Sequence, residues 1–206
     1  MDKSRIWPTI HAERKALAAD LETVSGDAWS TPSLCDGWSV RDVLAHMTGT
    51  AQMTPAKFFP RLISSGFSLS KLQKKDIDRI NAGDTLAAFK GEATSTSAPP
   101  GPTLTWLGET LVHGDDIRRP LGIKYDYPSE ATAAVADSYK GSNLVIGAKK
   151  RIAGVKLVAT DTDWSHGDGP EVKGPMMALL MVMAGRKAAL ADLSGDGVAT
   201  LQTRLT

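Results

Sequence analysis

The feature that most constrains the fold of this chain is the helical spacing of apolar residues in its first half. Within residues 7–25, Ile10, Leu17, Leu21 and Val24 recur at intervals of seven, four and three. These intervals place all four side chains on one face of an α-helix, because a helix has 3.6 residues per turn. The first helix is therefore expected to bury one apolar face against other helices.

Further helices follow in the same half. Ser39, with Asp42 three residues later, has the form of a capping box, in which the serine side chain accepts a hydrogen bond from an early backbone N–H. This signal predicts a second helix over residues 39–57. A third is predicted over 70–93, broken at an Asn-Ala-Gly step, and a fourth over 103–118. Long helices joined by loops favour a four-helix bundle.

The second half has a different pattern. Residues 129–145 are rich in alanine and predict a fifth helix, whereas 154–160 alternate and are β-branched, which predicts a strand. A second strand is expected at 171–174, a helix over 175–193 that begins at a proline, and a last short strand at 198–201. The predicted fold class is therefore mainly α, with a small α+β C-terminal unit behind the bundle.

We place the predicted boundary between these domains at residue 125, so that the bundle covers 1–125 and the α+β unit covers 126–206. The 24 Lys and Arg residues nearly balance the 23 Asp and Glu residues, which argues against a nucleic-acid partner and permits a homodimer. A single cysteine indicates a reducing compartment. The most apolar stretch, 176–184, is too short to span a bilayer, and no signal-peptide pattern is present. We therefore expect a cytoplasmic protein without a membrane partner.

A candidate metal site lies on two of the predicted helices. Glu109 and His113 are four residues apart, so their side chains project within ~40° of each other, and Asp116 falls on the same arc. His46 lies at the edge of the apolar stripe of the second helix. Facing helices of a bundle can bring such side chains to one point. Two histidines and a glutamate with an open fourth position are typical of catalytic zinc sites. The alternative is an ion pair between Glu109 and His113, with His46 as a hydrogen-bonded core residue.

Two segments of the bundle carry a family resemblance. The first is SLCDGWSVRDVLAH at residues 33–46, and the second is GETLVHGDDIRRPLG at residues 108–122. They resemble the two signatures of the mycothiol-dependent maleylpyruvate isomerase family, which belongs to the DinB-like superfamily of metal-binding four-helix bundles. The resemblance implies a DinB-like bundle in which His46, Glu109 and His113 bind a divalent metal, typically zinc. It also implies mycothiol as cosubstrate and an actinobacterial source.

The predicted function is that of a metal-dependent enzyme. A metal-activated thiolate would add to a small electrophile, either to transfer the thiol or to isomerise a cis double bond. Asp116 is predicted to orient a histidine ring; its alternative is a helix-end charge. The resemblance implies a substrate-binding arginine from the C-terminal part, for which Arg186 is the candidate; its alternative is a surface or structural arginine. Cys35 is expected to be a small buried side chain, with a reactive thiol near a helix start as the alternative. The alternative function is a non-catalytic metal-binding regulatory or stress-response module of the same fold.

Overall fold

The computed structural model describes residues 1–144 and 146–205 and divides the chain into two compact units. One unit is Asp2–Tyr125. The other runs from Asp126 onward and includes Met1. No helix in the described part of the chain is both long and apolar enough to cross a membrane.

The first unit is entirely helical in its regular structure. Its α-helices are α1 (Ile6–Leu21), α2 (Val40–Gln52), α3 (Pro55–Ser64), α4 (Leu69–Asn81), α5 (Thr85–Gly91) and α6 (Thr103–Arg118), with 3-10 turns at Lys3–Arg5 and Gly26–Ser30. Helix α2 packs against α4, α5 and α6, and α1 packs against α5 and α6. The long helices α1, α2, α4 and α6 thus form the bundle, and the predicted mainly α fold is confirmed.

The core of this unit follows the apolar periodicity of the sequence. Ile10, Leu17 and Leu21 of α1 are fully buried, as their spacing predicts. One continuous apolar cluster includes buried residues from α1, α2, α5 and α6, namely Leu17, Ala18, Leu21, Val40, Val43, Leu44, Met47, Phe89 and Ile117. Burial of an aliphatic or aromatic side chain stabilises the fold by roughly 1.5–3 kcal/mol. The cluster therefore holds α2 and α6, the two helices that carry the candidate ligands, in fixed positions.

The start of α2 agrees with the prediction, and its end does not. Ser39 accepts a hydrogen bond from the Asp42 backbone, and the Asp42 carboxylate accepts one from the Ser39 backbone, which completes the capping box. The helix stops at Gln52 rather than at residue 57. A new helix starts there because Thr54 caps α3 and Pro55 takes its first position, where a missing N–H costs nothing. The predicted break in the third helix is confirmed by the separation of α4 from α5.

The second unit mixes helices with a small sheet. Its elements are α7 (Ser129–Tyr139), α8 (Ala148–Arg151), β1 (Lys156–Ala159), β2 (Ser165–His166), β3 (Glu171–Gly174), α9 (Met176–Met183), a 3-10 helix (Lys187–Asp192) and α10 (Val198–Gln202). The strand order is β2-β1-β3, with β1 antiparallel to β2 and parallel to β3. Every residue of α9 is buried, so this apolar helix forms the core of the unit.

Two helix ends and the type of one element in this unit differ from the prediction. Helix α7 ends at Tyr139, short of the predicted 129–145, whose last residue, Val145, lies outside the described residues. Helix α9 ends at Met183 because Gly185 adopts a left-handed conformation (φ +93°). The predicted strand at 198–201 was wrong, since this segment forms α10. Its β-branched residues favour a strand, but burial of Leu201 on a helical turn overrides that preference.

The capping box predicts a measurable contribution to stability. Replacing Ser39 with Ala removes the side-chain acceptor for the Asp42 backbone N–H, and we expect the free energy of unfolding to fall by about 1 kcal/mol. Urea denaturation followed by circular dichroism measures this change. The matched control is Thr9→Ala, because the Thr9 hydroxyl bonds only to the Arg5 carbonyl of the preceding turn. Equal stability of the two variants would contradict a capping role for Ser39.

Candidate metal centre

Hydrogen bonds connect the loop that precedes α2, residues 33–38, to α6. The Ser33 hydroxyl donates to the Trp38 carbonyl (2.7 Å) and accepts from the Cys35 backbone N–H (3.1 Å), which closes the loop on itself. The Leu34 backbone N–H donates to the Asp116 carbonyl on α6 (3.3 Å). These bonds hold Cys35 beside the helix that carries the predicted site.

The Asp116 carboxylate joins two side chains at this point. Its Oδ2 atom accepts hydrogen bonds from Nδ1 of His113 (2.9 Å) and from the Cys35 thiol (3.1 Å), and Asp116 is fully buried. Burial alone would lower the pKa of His113, but the bonds to Asp116 and Cys35 raise it to about 10. Because Nδ1 is engaged by Asp116, Nε2 is the nitrogen that is left to bind an ion. An ion at Nε2 would displace a proton, as metal binding to histidine generally does.

His46 reaches the same place from α2. Its ring centroid lies 5.0 Å from that of His113, at an interplanar angle of 87°. The ring centroids of His46 and Trp38 are 5.2 Å apart. Burial, together with the charge on His113, lowers the pKa of His46 to about 3. The imidazole of His46 is therefore neutral at physiological pH, which is the form that coordinates metals.

Glu109 brings a buried carboxylate to the site. Both of its oxygens are buried, and neither accepts a hydrogen bond from any residue that the structure describes. Burial raises the pKa of Glu109, whereas the charges of His113 and Arg14 oppose that shift, with smaller contributions from the nearby hydroxyls of Thr50 and Thr110. An unsatisfied buried carboxylate is costly, so a site of this kind calls for a ligand.

Arg14 supplies a buried positive charge from α1. Its side chain is 0% exposed, and Nη1 donates to the Ser95 carbonyl (3.1 Å), whereas Nε and Nη2 have no hydrogen-bond partner among the described residues. Burial lowers the pKa of this guanidinium, and the charge of Glu109 raises it. Arg14 thus partly balances the charge of Glu109 without a direct hydrogen bond to it.

Two overlapping sets of side chains are candidates for holding a divalent cation. In one set, ligand atoms of Cys35, His113 and Asp116 lie within 4.8 Å of one another. These atoms already bond to each other, as described above. The other set is the one predicted from the sequence, His46, Glu109 and His113. The described residues do not bring its three ligand atoms within that distance, so this set stays a prediction, which rests on a neutral imidazole and on a carboxylate that has no hydrogen-bond partner among the described residues.

The remaining predicted residue lies in the other unit. Arg186 precedes the 3-10 helix Lys187–Asp192, and its Nη1 donates to the Ala184 carbonyl (2.9 Å). It is half-buried. Its role toward a substrate stays a prediction.

Sequence reasoning missed two contributors to the site. Cys35 was expected to be an inert packing residue, yet its thiol bonds to the carboxylate that orients His113. The burial of Arg14 could have been predicted from the sequence, because it follows Ile10 by four residues and precedes Leu17 by three. A charged residue at that spacing lies on the apolar face of α1 and must be buried.

The fold and the site together define a class of protein. The class is a helical bundle that gathers buried histidine and carboxylate groups suited to a divalent cation, followed by a small α+β unit.

Comparison with known proteins agrees with the resemblance found in the sequence. Residues 10–67 match the sequence model of the family described as "Mycothiol maleylpyruvate isomerase N-terminal domain". A crystal structure of the mycothiol-dependent maleylpyruvate isomerase has the same fold, with a TM-score of 0.65 and 13% identity over 95% of this chain and 93% of that chain. The family model matches only residues 10–67 of this chain, and the solved structure shows a shared fold.

A second solved structure, of a histidine-to-alanine mutant of that isomerase, matches in the same way. Its TM-score is 0.64 at 12% identity, again over 95% of this chain and 93% of that chain. No curated protein sequence matches this chain.

The donor sets predict different effects of substitution on metal content. We expect His46→Ala to abolish most zinc binding, because it removes one of three ligands, whereas Cys35→Ala should retain the ion. Elemental analysis of purified proteins incubated with zinc measures the stoichiometry. His166→Ala is the matched control, since His166 lies on β2 in the second unit. Zinc loss in Cys35→Ala with retention in His46→Ala would assign the ion to the Cys35 set instead.

The depressed pKa of His46 also predicts a pH dependence for the metal-free protein. A histidine with a pKa of about 3 in the folded state and 6.5 when unfolded stabilises the fold above pH 6.5, and this stabilisation is lost as pH falls toward 3. We expect His46→Gln, which cannot take up the proton, to lose less stability on acidification than the wild type. Urea denaturation of both proteins across this range tests the sign. Equal acid sensitivity would argue against a buried neutral His46.

Proposed function

We propose that this protein is an enzyme that uses a divalent cation, with zinc as the first candidate, to activate a low-molecular-weight thiol of the mycothiol type. The activated thiol is transferred to a small electrophile or isomerises it. The observation that carries the proposal is the buried Glu109 carboxylate, which has no hydrogen-bond partner among the described residues. It lies one helical turn from His113, and the ring of His46 lies 5.0 Å from that of His113.

The metal would be held by His46, Glu109 and His113. A bound divalent cation lowers the pKa of a coordinated thiol, so that the thiolate is available at neutral pH. His46 supplies a neutral nitrogen because its site is buried. Glu109 supplies negative charge that the described residues otherwise leave unsatisfied.

Asp116 acts as a positioning residue in this proposal. By accepting a hydrogen bond from Nδ1–H of His113, it fixes the ring orientation and leaves Nε2 for the cation. Arg14 keeps a positive charge near Glu109, which favours the ionised carboxylate in the buried site.

The partners that we propose are a small thiol and a small electrophile, in line with the names of the family and of the solved isomerase. We propose Arg186 as the residue that binds a carboxylate of the substrate. The cytoplasmic location, the actinobacterial source and the homodimer stay predictions.

Thiol turnover tests the proposed activity. We expect the zinc-loaded wild type either to isomerise maleylpyruvate in the presence of mycothiol, which is regenerated and not consumed, or to consume mycothiol by transferring it to monochlorobimane with loss of chloride. We expect less activity with glutathione in either assay. Asp116→Asn should lower zinc affinity or turnover by about 10–100-fold, because the ring of His113 loses its carboxylate acceptor. The matched control is Asp168→Asn, at an exposed turn of the second unit.

The outcomes distinguish the enzyme from its alternative. Zinc bound by the wild type, with neither isomerisation of maleylpyruvate nor consumption of thiol with monochlorobimane, would identify a non-catalytic metal-binding module. Turnover that survives the double replacement His46→Ala and His113→Ala would contradict the proposed ligand set.

A further inference from the structure

Helix α3 leaves its apolar face in solvent. It is amphipathic, yet none of its residues is buried. Phe59 and Ile63, one turn apart on this helix, are 57% and 59% exposed, and Phe67 and Leu69, which follow it, are 74% and 56% exposed. These four residues are called the apolar patch below. Large exposed apolar clusters of this kind mark interaction surfaces.

The backbone at the end of α3 fixes the position of Phe67. The Phe67 N–H donates to the Leu62 carbonyl (2.9 Å) and the Gly66 N–H to the Ile63 carbonyl (2.9 Å), which is a Schellman ending. Phe67 itself adopts a left-handed conformation (φ +58°), which is rare for a bulky residue. A rigid, strained turn thus holds an aromatic ring in solvent, where a flexible loop would let it fold back.

The charge around the apolar patch is strongly one-sided. Residues 55–75 contain five of the chain's 24 Lys and Arg residues and none of its 23 Asp and Glu residues. Arg61 pairs with the buried Asp76 and Lys74 pairs with Asp78, so these two charges are balanced by carboxylates that follow the segment. Lys57, Lys71 and Lys75 are exposed around the patch.

We propose that the apolar patch docks this protein on the surface of a membrane that contains anionic phospholipid. A short helix with Phe, Leu and Ile on one face and Lys and Arg on the other is suited to lie in the interface plane. Its apolar side chains enter the boundary between headgroups and acyl chains, while Lys57 of α3 and Lys71 and Lys75 of α4 meet the lipid phosphates.

The charge pattern favours this partner over a second copy of the chain. Two copies joined through the patch would bring lysines against lysines, which opposes association. The sequence-based expectation of no membrane partner rested on the lack of an apolar run long enough to span a bilayer, and a helix lying at the surface does not need one. The inference is independent of the metal site.

Vesicle co-sedimentation of the full-length protein tests the apolar part of the proposal. We expect the wild type to sediment with vesicles of phosphatidylglycerol and phosphatidylcholine at low salt, and to stay in solution with phosphatidylcholine alone. The triple variant Phe59→Ser, Ile63→Ser and Phe67→Ser should lose at least about tenfold in affinity for these vesicles. Leu144→Ser is the matched control, because Leu144 is 91% exposed in the second unit.

A charge-reversal pair tests the electrostatic part. Lys71→Glu with Lys75→Glu should weaken binding to anionic vesicles roughly tenfold or more. The control, Lys149→Glu with Lys150→Glu, makes the same change in net charge at exposed positions of the second unit. Binding of the wild type should also fall as salt rises.

Three results would overturn the proposal. They are a wild type that does not bind anionic vesicles, binding that the patch variants leave unchanged, and a wild-type dimer in light scattering that the triple variant converts to monomer. Circular dichroism of each variant confirms the fold, and these side chains are exposed, so their replacement should leave it intact.

Discussion

A single buried carboxylate organises the candidate site. Asp116 accepts hydrogen bonds from His113 and from the Cys35 thiol through its side chain, and from the Leu34 N–H through its carbonyl. It thereby connects the loop that leads into α2 to the last turn of α6. Because α2 carries His46, this junction bears on the distance between the two histidine rings. Without Asp116, α2 would still pack on α6 through apolar side chains, but the loop before α2 would lose its hydrogen bonds to α6.

The buried polar groups of the candidate site lower the free energy of unfolding of the bundle. The Glu109 carboxylate and two nitrogens of Arg14 are buried without hydrogen-bond partners among the described residues, and such groups typically cost about 1–3 kcal/mol each. The surrounding apolar cluster is large enough to offset that cost. Buried groups with strongly shifted pKa values, such as His46 and His113, are typical of functional sites.

Much of the fold could be predicted because its signals are local. Periodicity placed α1, α4, α5 and α6, and the capping box placed the start of α2. Errors arose where the local signals were misjudged or tertiary contacts took over. A Thr-Pro pair started α3 where one long helix was expected, and burial of Leu201 turned a β-branched segment into α10.

The sequence by itself determined that Glu109, His113 and Asp116 share one face of a helix, because that follows from residue spacing alone. The family resemblance in the sequence also indicated His46 as a candidate metal ligand. Only the tertiary structure decided that Cys35 meets Asp116 and that Arg14 lies near Glu109. Those contacts join residues about 80 or more positions apart, and their distances depend on how whole helices pack. Spacing along one helix is fixed by backbone geometry, whereas contact between helices is fixed by the fit of their side chains.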